Sequence, residues 1–226
     1  MLALVNDIFL PLFISLFIYL WNPISLNTSI LQILSYSNLA LINIIGLIYY
    51  LGSWDQHKTK YFKLSIINYL LLTILIYVYL NYYQPNVNCP IFTRYLIELT
   101  TLYICQEFYF YLCHRILHHR LLFKWIHYLH HQTYADSYLT AFYMHPLELL
   151  ILIFPGTIIG SLFLSISLLS FLVWLIMGSF YILWSHTNIT YYLLPSTNYH
   201  LIHHKYIKYN LSSYPLDYLF GTHYVS

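Results

Sequence analysis

The chain has 226 residues, of which 60% are hydrophobic and only 7% charged, with a net charge of +2 when the histidines are neutral and a mean hydropathy of +0.63. Soluble domains carry about 25% charged residues, so this composition argues against an ordinary soluble domain, and the small net charge gives no reason to expect a nucleic-acid partner. The three cysteines, Cys89, Cys105 and Cys113, lack paired spacing, which argues against a disulfide framework, and the length suits one domain.

In chain order, residues 8–21 are a short apolar run ending at Trp21-Asn22-Pro23, which crosses a bilayer only with help from residues 1–7 or lies at its surface. It lacks the basic start and small-residue cleavage site of a secretory signal. Residues 30–51 and 64–83 are expected spans. The loop between them carries Lys58, Lys60 and Lys63, which the positive-inside rule places in the cytoplasm. Residues 92–113 then run back to that side, where Arg115, Arg120 and Lys124 follow. The apolar stretch 147–184, broken near Pro155-Gly156 and at Gly160, fits a tight hairpin that enters and leaves on the same face. The tail after Ser185, with Lys205 and Lys208, stays cytoplasmic. The expected fold is all-α: a multi-pass bundle of about four to six spans, including the short hairpin, under a cytoplasmic histidine-rich cap. Glycosylation triplets at Asn27, Asn188 and Asn210 leave only Asn27 on the lumenal side of this topology.

Six of the thirteen histidines fall between Glu107 and His131. His114 and His118 are four apart; His127, His130 and His131 form H-x-x-H-H; the same spacing returns at His200, His203 and His204. On a helix such positions share a face, so each group can bring two or three imidazoles to one point. A single histidine on an apolar face is usually a hydrogen-bonded structural residue. Three clusters in a chain this poor in charge point instead to a polynuclear metal site. Nine or ten imidazoles are too many for one zinc and suit two metals, but residue type does not choose among iron, zinc and copper. Two irons beside the bilayer could activate O2 over a lipid C–H bond.

Other residues have competing roles. Glu107 lies seven residues before His114 on the same stripe, placed either to orient a ligand imidazole or to hydrogen-bond a neighbouring helix. Arg94, one turn before Glu98, is expected to pair with it. His145 precedes Pro146 and either caps the hairpin or joins the metal set. Glu148 can pair with Arg115 or an imidazole, and His186 leaves the hairpin where the clusters gather. His57, His119 and His223 have no partner spacing.

Together these residues resemble the fatty acid hydroxylase/sterol desaturase superfamily of histidine-box membrane oxygenases. The matching pieces are Glu107 with Tyr111, His114-Arg115 and His118; His127 with His130-His131; His145-Pro146-Leu147-Glu148; His186 with Asn188; and His200 with His203-His204. Asp217-Tyr218-Leu219-Phe220-Gly221-Thr222 closes the pattern. The stretch from His118 to Leu150 is most similar to sterol 4-methyl oxidases. The resemblance implies a di-iron centre held by His114, His118, His127, His130, His131, His186, His200, His203 and His204, with His145 a weaker tenth, and with Glu107 and Glu148 as catalytic carboxylates. It implies O2 and electrons from cytochrome b5 or an NAD(P)H-dependent reductase, a lipid or sterol substrate, and residence in the endoplasmic reticulum. Residues 1–91 would then be N-terminal spans and 92–226 the catalytic region of a single domain. Where the family has Asn-Tyr-Gly or Asn-Tyr-Ala after the last box, this chain has Asn210-Leu211-Ser212, and Leu201 stands where an Asp is usual. The readings set beside the oxygenase are a zinc-dependent membrane hydrolase, a metal transporter and an inactive homologue.

Overall fold

The computed structural model describes residues 59–134, 140–187 and 197–225. The apolar runs at 8–21 and 30–51, with Asn27, His57 and Asn188, lie outside the described residues. Among those described, the chain is helical and forms no strand, only one isolated bridge between Asn86 and Ser167.

Helix α1, Thr59–Tyr83, is apolar on every side. Its inward stripe is Ser65, Asn68, Leu72, Ile76 and Leu80, while Ile67, Leu70, Ile74 and Val78 face outward. The inward positions step by three and four, as one face of a helix must. An outward face that is also apolar suits lipid. The helix stops where Gln84 takes a left-handed φ of 48° before Pro85. Helix α2, Phe92–Leu117, buries Tyr95, Leu99, Leu102, Tyr111, His114 and Leu117. It is less apolar than α1, because Arg94, Glu98, Glu107 and Arg115 interrupt it.

The chain turns at His118-His119 into a short rod: α3 (Arg120–Leu122), a π-turn (Phe123–His127) and α4 (Tyr128–His131). A second rod, α5 (Pro146–Glu148), passes through a π-turn (Leu149–Ile153) into α6 (Phe154–Ile158), and α7 (Gly160–Phe163) follows. Pro155 lies inside this rod and has no N–H to give, and the Ile151 carbonyl one turn before it accepts from Tyr109 OH at 2.6 Å instead. The hairpin therefore reverses later than expected, at Leu164–Ser167, before α8 (Leu168–Ser185). Glu98 holds that reversal: it pairs with Arg94 at 2.8 Å and accepts from Ser167 N (3.0 Å) and Ser167 Oγ (2.7 Å). Gly160 marks the closest approach of the hairpin to α2, since a Cβ there would stand 2.7 Å from Leu102 Cα.

Two helical segments, Lys63–Tyr83 and Leu168–Ser185, are long and apolar enough to cross a membrane. Helices α9 (Asn198–Lys205) and α10 (Tyr214–Leu219) complete the described chain. Leu72, Ile76, Leu99, Leu102, Phe171 and Trp174 meet in one apolar core below the histidines. In lipid such a core is held by van der Waals packing, because hydrocarbon tails are as apolar as leucine.

Candidate metal centre

Nine of the ten histidines expected to bind metal gather into two groups. One, site A, holds His114 from α2 and His118 at its C-terminal cap, His127 and His131 from the first rod, and His203 from α9. The other, site B, holds His130, His186, His200 and His204. Within each group the potential ligand atoms lie within 4.8 Å of one another. Neighbouring residues are dealt to different groups: His130 to B and His131 to A, His203 to A and His204 to B. Adjacent side chains on a helix diverge by about 100°, so each H-x-x-H-H segment feeds both groups, and their separation is set by covalent structure.

The Nδ1 atoms of five rings face backbone carbonyls. His114 bonds Leu211 O, and His203 bonds Tyr209 O at 2.8 Å. In site B, His130 bonds Tyr143 O (3.3 Å), His186 bonds Ile182 O (2.9 Å) and His204 bonds Thr133 O (2.9 Å). A carbonyl oxygen only accepts, so in each ring the proton sits on Nδ1. Burial keeps these rings neutral, holding His114 and His204 down to about 4 and His186 to about 3. It lowers His118 to about 2, and it depresses His127, His130, His131, His200 and His203 as well.

A neutral ring protonated at Nδ1 has a bare lone pair at Nε2. Yet His186 Nε2 and His130 Nε2 are 3.3 Å apart, and His200 Nε2 lies 3.1 Å from both His186 and His204. In site A, His127 Nε2 stands 2.9 Å from His114 Nε2 and 3.1 Å from His131 Nε2, while His203 Nε2 is buried without a partner. Between His130 and His186, both protonated at Nδ1, two lone pairs face each other and repel unless a cation lies between them; His200, His127 and His131 have no carbonyl at Nδ1 and can donate from Nε2 instead. Nitrogen ligands at about 2.0–2.1 Å from a metal, with angles of about 90–109° between them, stand about 2.9–3.4 Å apart. The spacings fit that range, so the donor set fits a metal at each group.

Glu148 Oε1 lies 2.9 Å from His127 Nδ1, a carboxylate placed to fix the tautomer of a ligand imidazole. Of its two expected partners Glu148 lies beside the imidazole, a close approach without hydrogen-bond geometry: His127 Nδ1 and Glu148 Oε2 are both buried without a hydrogen-bond partner. Glu107 reaches no imidazole directly: Ser212 Oγ donates to its Oε2 at 3.1 Å. His145 stands outside both groups, and its Nδ1 accepts from Leu147 N at 3.1 Å, capping α5. The anchoring carbonyls of Leu211, Tyr209, Tyr143 and Thr133 had no signal in the histidine spacing, since they come from the loops that follow the boxes.

A cavity opens against both groups. His114, His127, His130, His186 and His200 line one part of it, Leu72, Ile76, Phe110, Met144, Leu152 and Trp174 the apolar remainder, and Glu107 and Ser212 a polar patch.

A family model described as fatty acid hydroxylase matches residues 99–222. A Dictyostelium discoideum protein named as a methylsterol monooxygenase is 36% identical over 141 residues, covering 56% of this chain and 51% of that protein. The Homo sapiens fatty acid hydroxylase domain-containing protein 2 is 30% identical over 171 residues, covering 73% of this chain and 50% of its own. A very-long-chain aldehyde decarbonylase of Oryza sativa is 28% identical over 153 residues, covering 62% of this chain and 57% of that protein. The chain thus spans about half the length of the curated relatives it matches. No solved structure matches it.

Proposed function

The chain belongs to the fatty acid hydroxylase family, and on that premise we propose that it is a membrane-bound, O2-dependent oxidoreductase that holds two iron ions and hydroxylates or desaturates a lipid. The observation that carries this reading is the 3.3 Å contact between His130 Nε2 and His186 Nε2, two nitrogens whose protons are committed elsewhere and which only a cation can reconcile. His114, His118, His127, His131 and His203 would hold one ion, and His130, His186, His200 and His204 the other. When bound, iron supplies the activation of O2 and the oxidation of a C–H bond.

The protein's own part is positioning. Backbone carbonyls keep the ligand rings they meet in the Nδ1–H tautomer, and Glu148 lies beside His127 Nδ1. Glu107 acts at one remove, holding Ser212 beside the Leu211 carbonyl that orients His114. The apolar cavity walls take the hydrocarbon body of the substrate and keep water from the histidines.

A 4-methyl sterol is the proposed substrate, supported by the names of the Dictyostelium discoideum relatives. Electrons come from a separate donor, cytochrome b5 or an NAD(P)H-dependent reductase. The protein is assigned to the endoplasmic reticulum, with residues 1–91 as N-terminal spans. The histidines are assigned to the cytoplasm, the side that the positive-inside rule gives to the sequence segments bearing Lys58, Lys60, Lys63, Arg115, Arg120, Lys124, Lys205 and Lys208.

The test is elemental analysis of the detergent-purified chain expressed with iron, followed by a lipid screen with reductase, NAD(P)H and O2. Two irons per chain and O2-dependent oxidation of a 4-methyl sterol are expected. Zinc that iron cannot replace, with lipid hydrolysis that needs no O2, would move the assignment to a hydrolase. A chain that binds no metal overturns the reading.

A further inference from the structure

Two buried polar side chains lie outside both histidine groups and outside the boxes, and each grips a different loop. Asp217 on α10 is fully buried and accepts four hydrogen bonds: Leu211 N (2.9 Å) and Thr222 Oγ1 (2.6 Å) at Oδ1, Ser212 N (3.0 Å) and Tyr199 OH (2.9 Å) at Oδ2. The loop so held offers Leu211 O to His114 Nδ1, in site A. Asn68 on α1 is equally buried, and its Nδ2 donates to Phe142 O (2.9 Å) and Met144 O (2.7 Å). Between those residues stands Tyr143, whose carbonyl meets His130 Nδ1, in site B. The peptide unit is planar, so pinning the carbonyls on both sides of Tyr143 leaves its own carbonyl little freedom to turn. Helix α1 supplies no ligand to either group, and a polar residue inside so apolar a helix is costly unless hydrogen-bonded; Asn68 meets that at Nδ2 while its Oδ1 stays without a partner among the described residues.

Resting on the reading of the histidine groups as metal sites, we propose that Asp217 and Asn68 are positioning residues, each fixing the carbonyl that orients one ligand imidazole, so that Asp217 governs occupancy of site A and Asn68 that of site B. Neither touches a ligand ring. Asn68 works through one loop, and Asp217 works mainly through another while also holding Tyr199 on α9; the two loops are separate, so the two metals can be loosened one at a time, and Tyr199→Phe, which removes only the α9 contact, should leave both release rates near wild type. A merely structural role would act differently, weakening the helix packing on which both groups depend.

The experiment uses the full chain in detergent, loaded with iron and challenged with a chelator, counting metal retained per chain against time. Wild type is expected to release two ions in slow phases. Asp217→Asn should speed loss of one ion roughly 10-fold or more, the scale of a lost outer partner, and leave the other at its wild-type rate. Asn68→Leu should do the same to the other ion. Crossed variants assign the phases: Asp217→Asn added to His186→Ala should speed loss of the one remaining ion, whereas added to His203→Ala it should leave the remaining ion's rate unchanged, and Asn68→Leu should show the reverse pattern. Should either variant elute as aggregate, Thr222→Val and Asn68→Ser provide milder changes, expected to give smaller shifts confined to the same ion. Loss of both ions in step, or of neither, overturns the inference while leaving the functional reading intact. A wild-type chain that takes up no metal overturns both.

Discussion

Sites A and B draw on the same two H-x-x-H-H segments, yet their rings are held differently. In site B three of four rings, His130, His186 and His204, are anchored at Nδ1 by backbone carbonyls. In site A carbonyls anchor only His114 and His203, and His127 faces the Glu148 carboxylate. His118 and His131 are half-buried and find no Nδ1 partner among the described residues. Site B is thus the smaller but stiffer donor set. Site A has one ligand more, but two of its rings, His118 and His131, have neither a hydrogen bond nor a carboxylate at Nδ1, against one, His200, in site B. Affinity depends on how well the donors are held as well as on their number, so site A should exchange its metal faster.

Removing one ligand from each side sharpens this contrast most. His203→Ala and His186→Ala should each lower the metal content from two ions to one per chain and reduce lipid oxidation at least 100-fold, while His223→Ala keeps both. Elemental analysis that finds both ions gone in either variant would mean the groups are one site.

Next is Glu148→Gln, which keeps the shape but replaces the carboxyl beside His127 with an amide. Metal affinity at site A should fall by about 10–100-fold with site B unchanged, read by chelator competition. Equal weakening of both ions would break the comparison.

The metal-free chain should show a smaller, pH-dependent effect common to both groups. The folded-state values of His114 and His204 (about 4) and His186 (about 3) lie below the unperturbed value of about 6.5. Between those limits the unfolded chain binds more protons than the folded one. Stability should therefore be constant above about pH 6.5 and fall as the pH drops toward 4. Thermal unfolding in detergent from pH 8 to pH 5 measures this, and a midpoint flat across that range would mean the rings are not buried as described.

The smallest effect belongs to His145→Ala. It should keep both metals and cost the α5 cap at most about 1 kcal/mol. A lost ion would return His145 to the metal set.

Much of the site was legible in the sequence because helical spacing dictates which side chains share a face. His114 with His118, and His200 with His204, behave that way, and Arg94 finds Glu98 one turn on. The division between sites was not legible, because His130-His131 and His203-His204 look like single units until their rings diverge across the helix. Nor was the place of His145, where a metal role and a cap have the same local pattern. Glu107 satisfied the stripe containing His114, yet its partner Ser212 comes from a loop 105 residues away, and no local period encodes that contact. The hairpin was read as breaking at Pro155 and Gly160, residues that disfavour helix, but a proline whose freed carbonyl partner is satisfied by Tyr109 and a glycine pressed on Leu102 are both compatible with one. The reversal lies instead where Glu98 and Ser167 meet.

The two π-turns, Phe123–His127 and Leu149–Ile153, bracket the His127–Glu148 pair, one ending on the histidine and the other starting just after the carboxylate. A π-turn holds one residue more than the α-turn it replaces. Each rod therefore behaves as an α-helix that has absorbed a one-residue insertion without lengthening its loops. A single deletion within Phe123–His127 would restore ordinary helix and rotate His127, His130 and His131 by about 100° relative to the residues before them. Natural length variation in this part of the chain should accordingly be borne by the connections on either side of the rods, with the count of residues inside each rod held fixed.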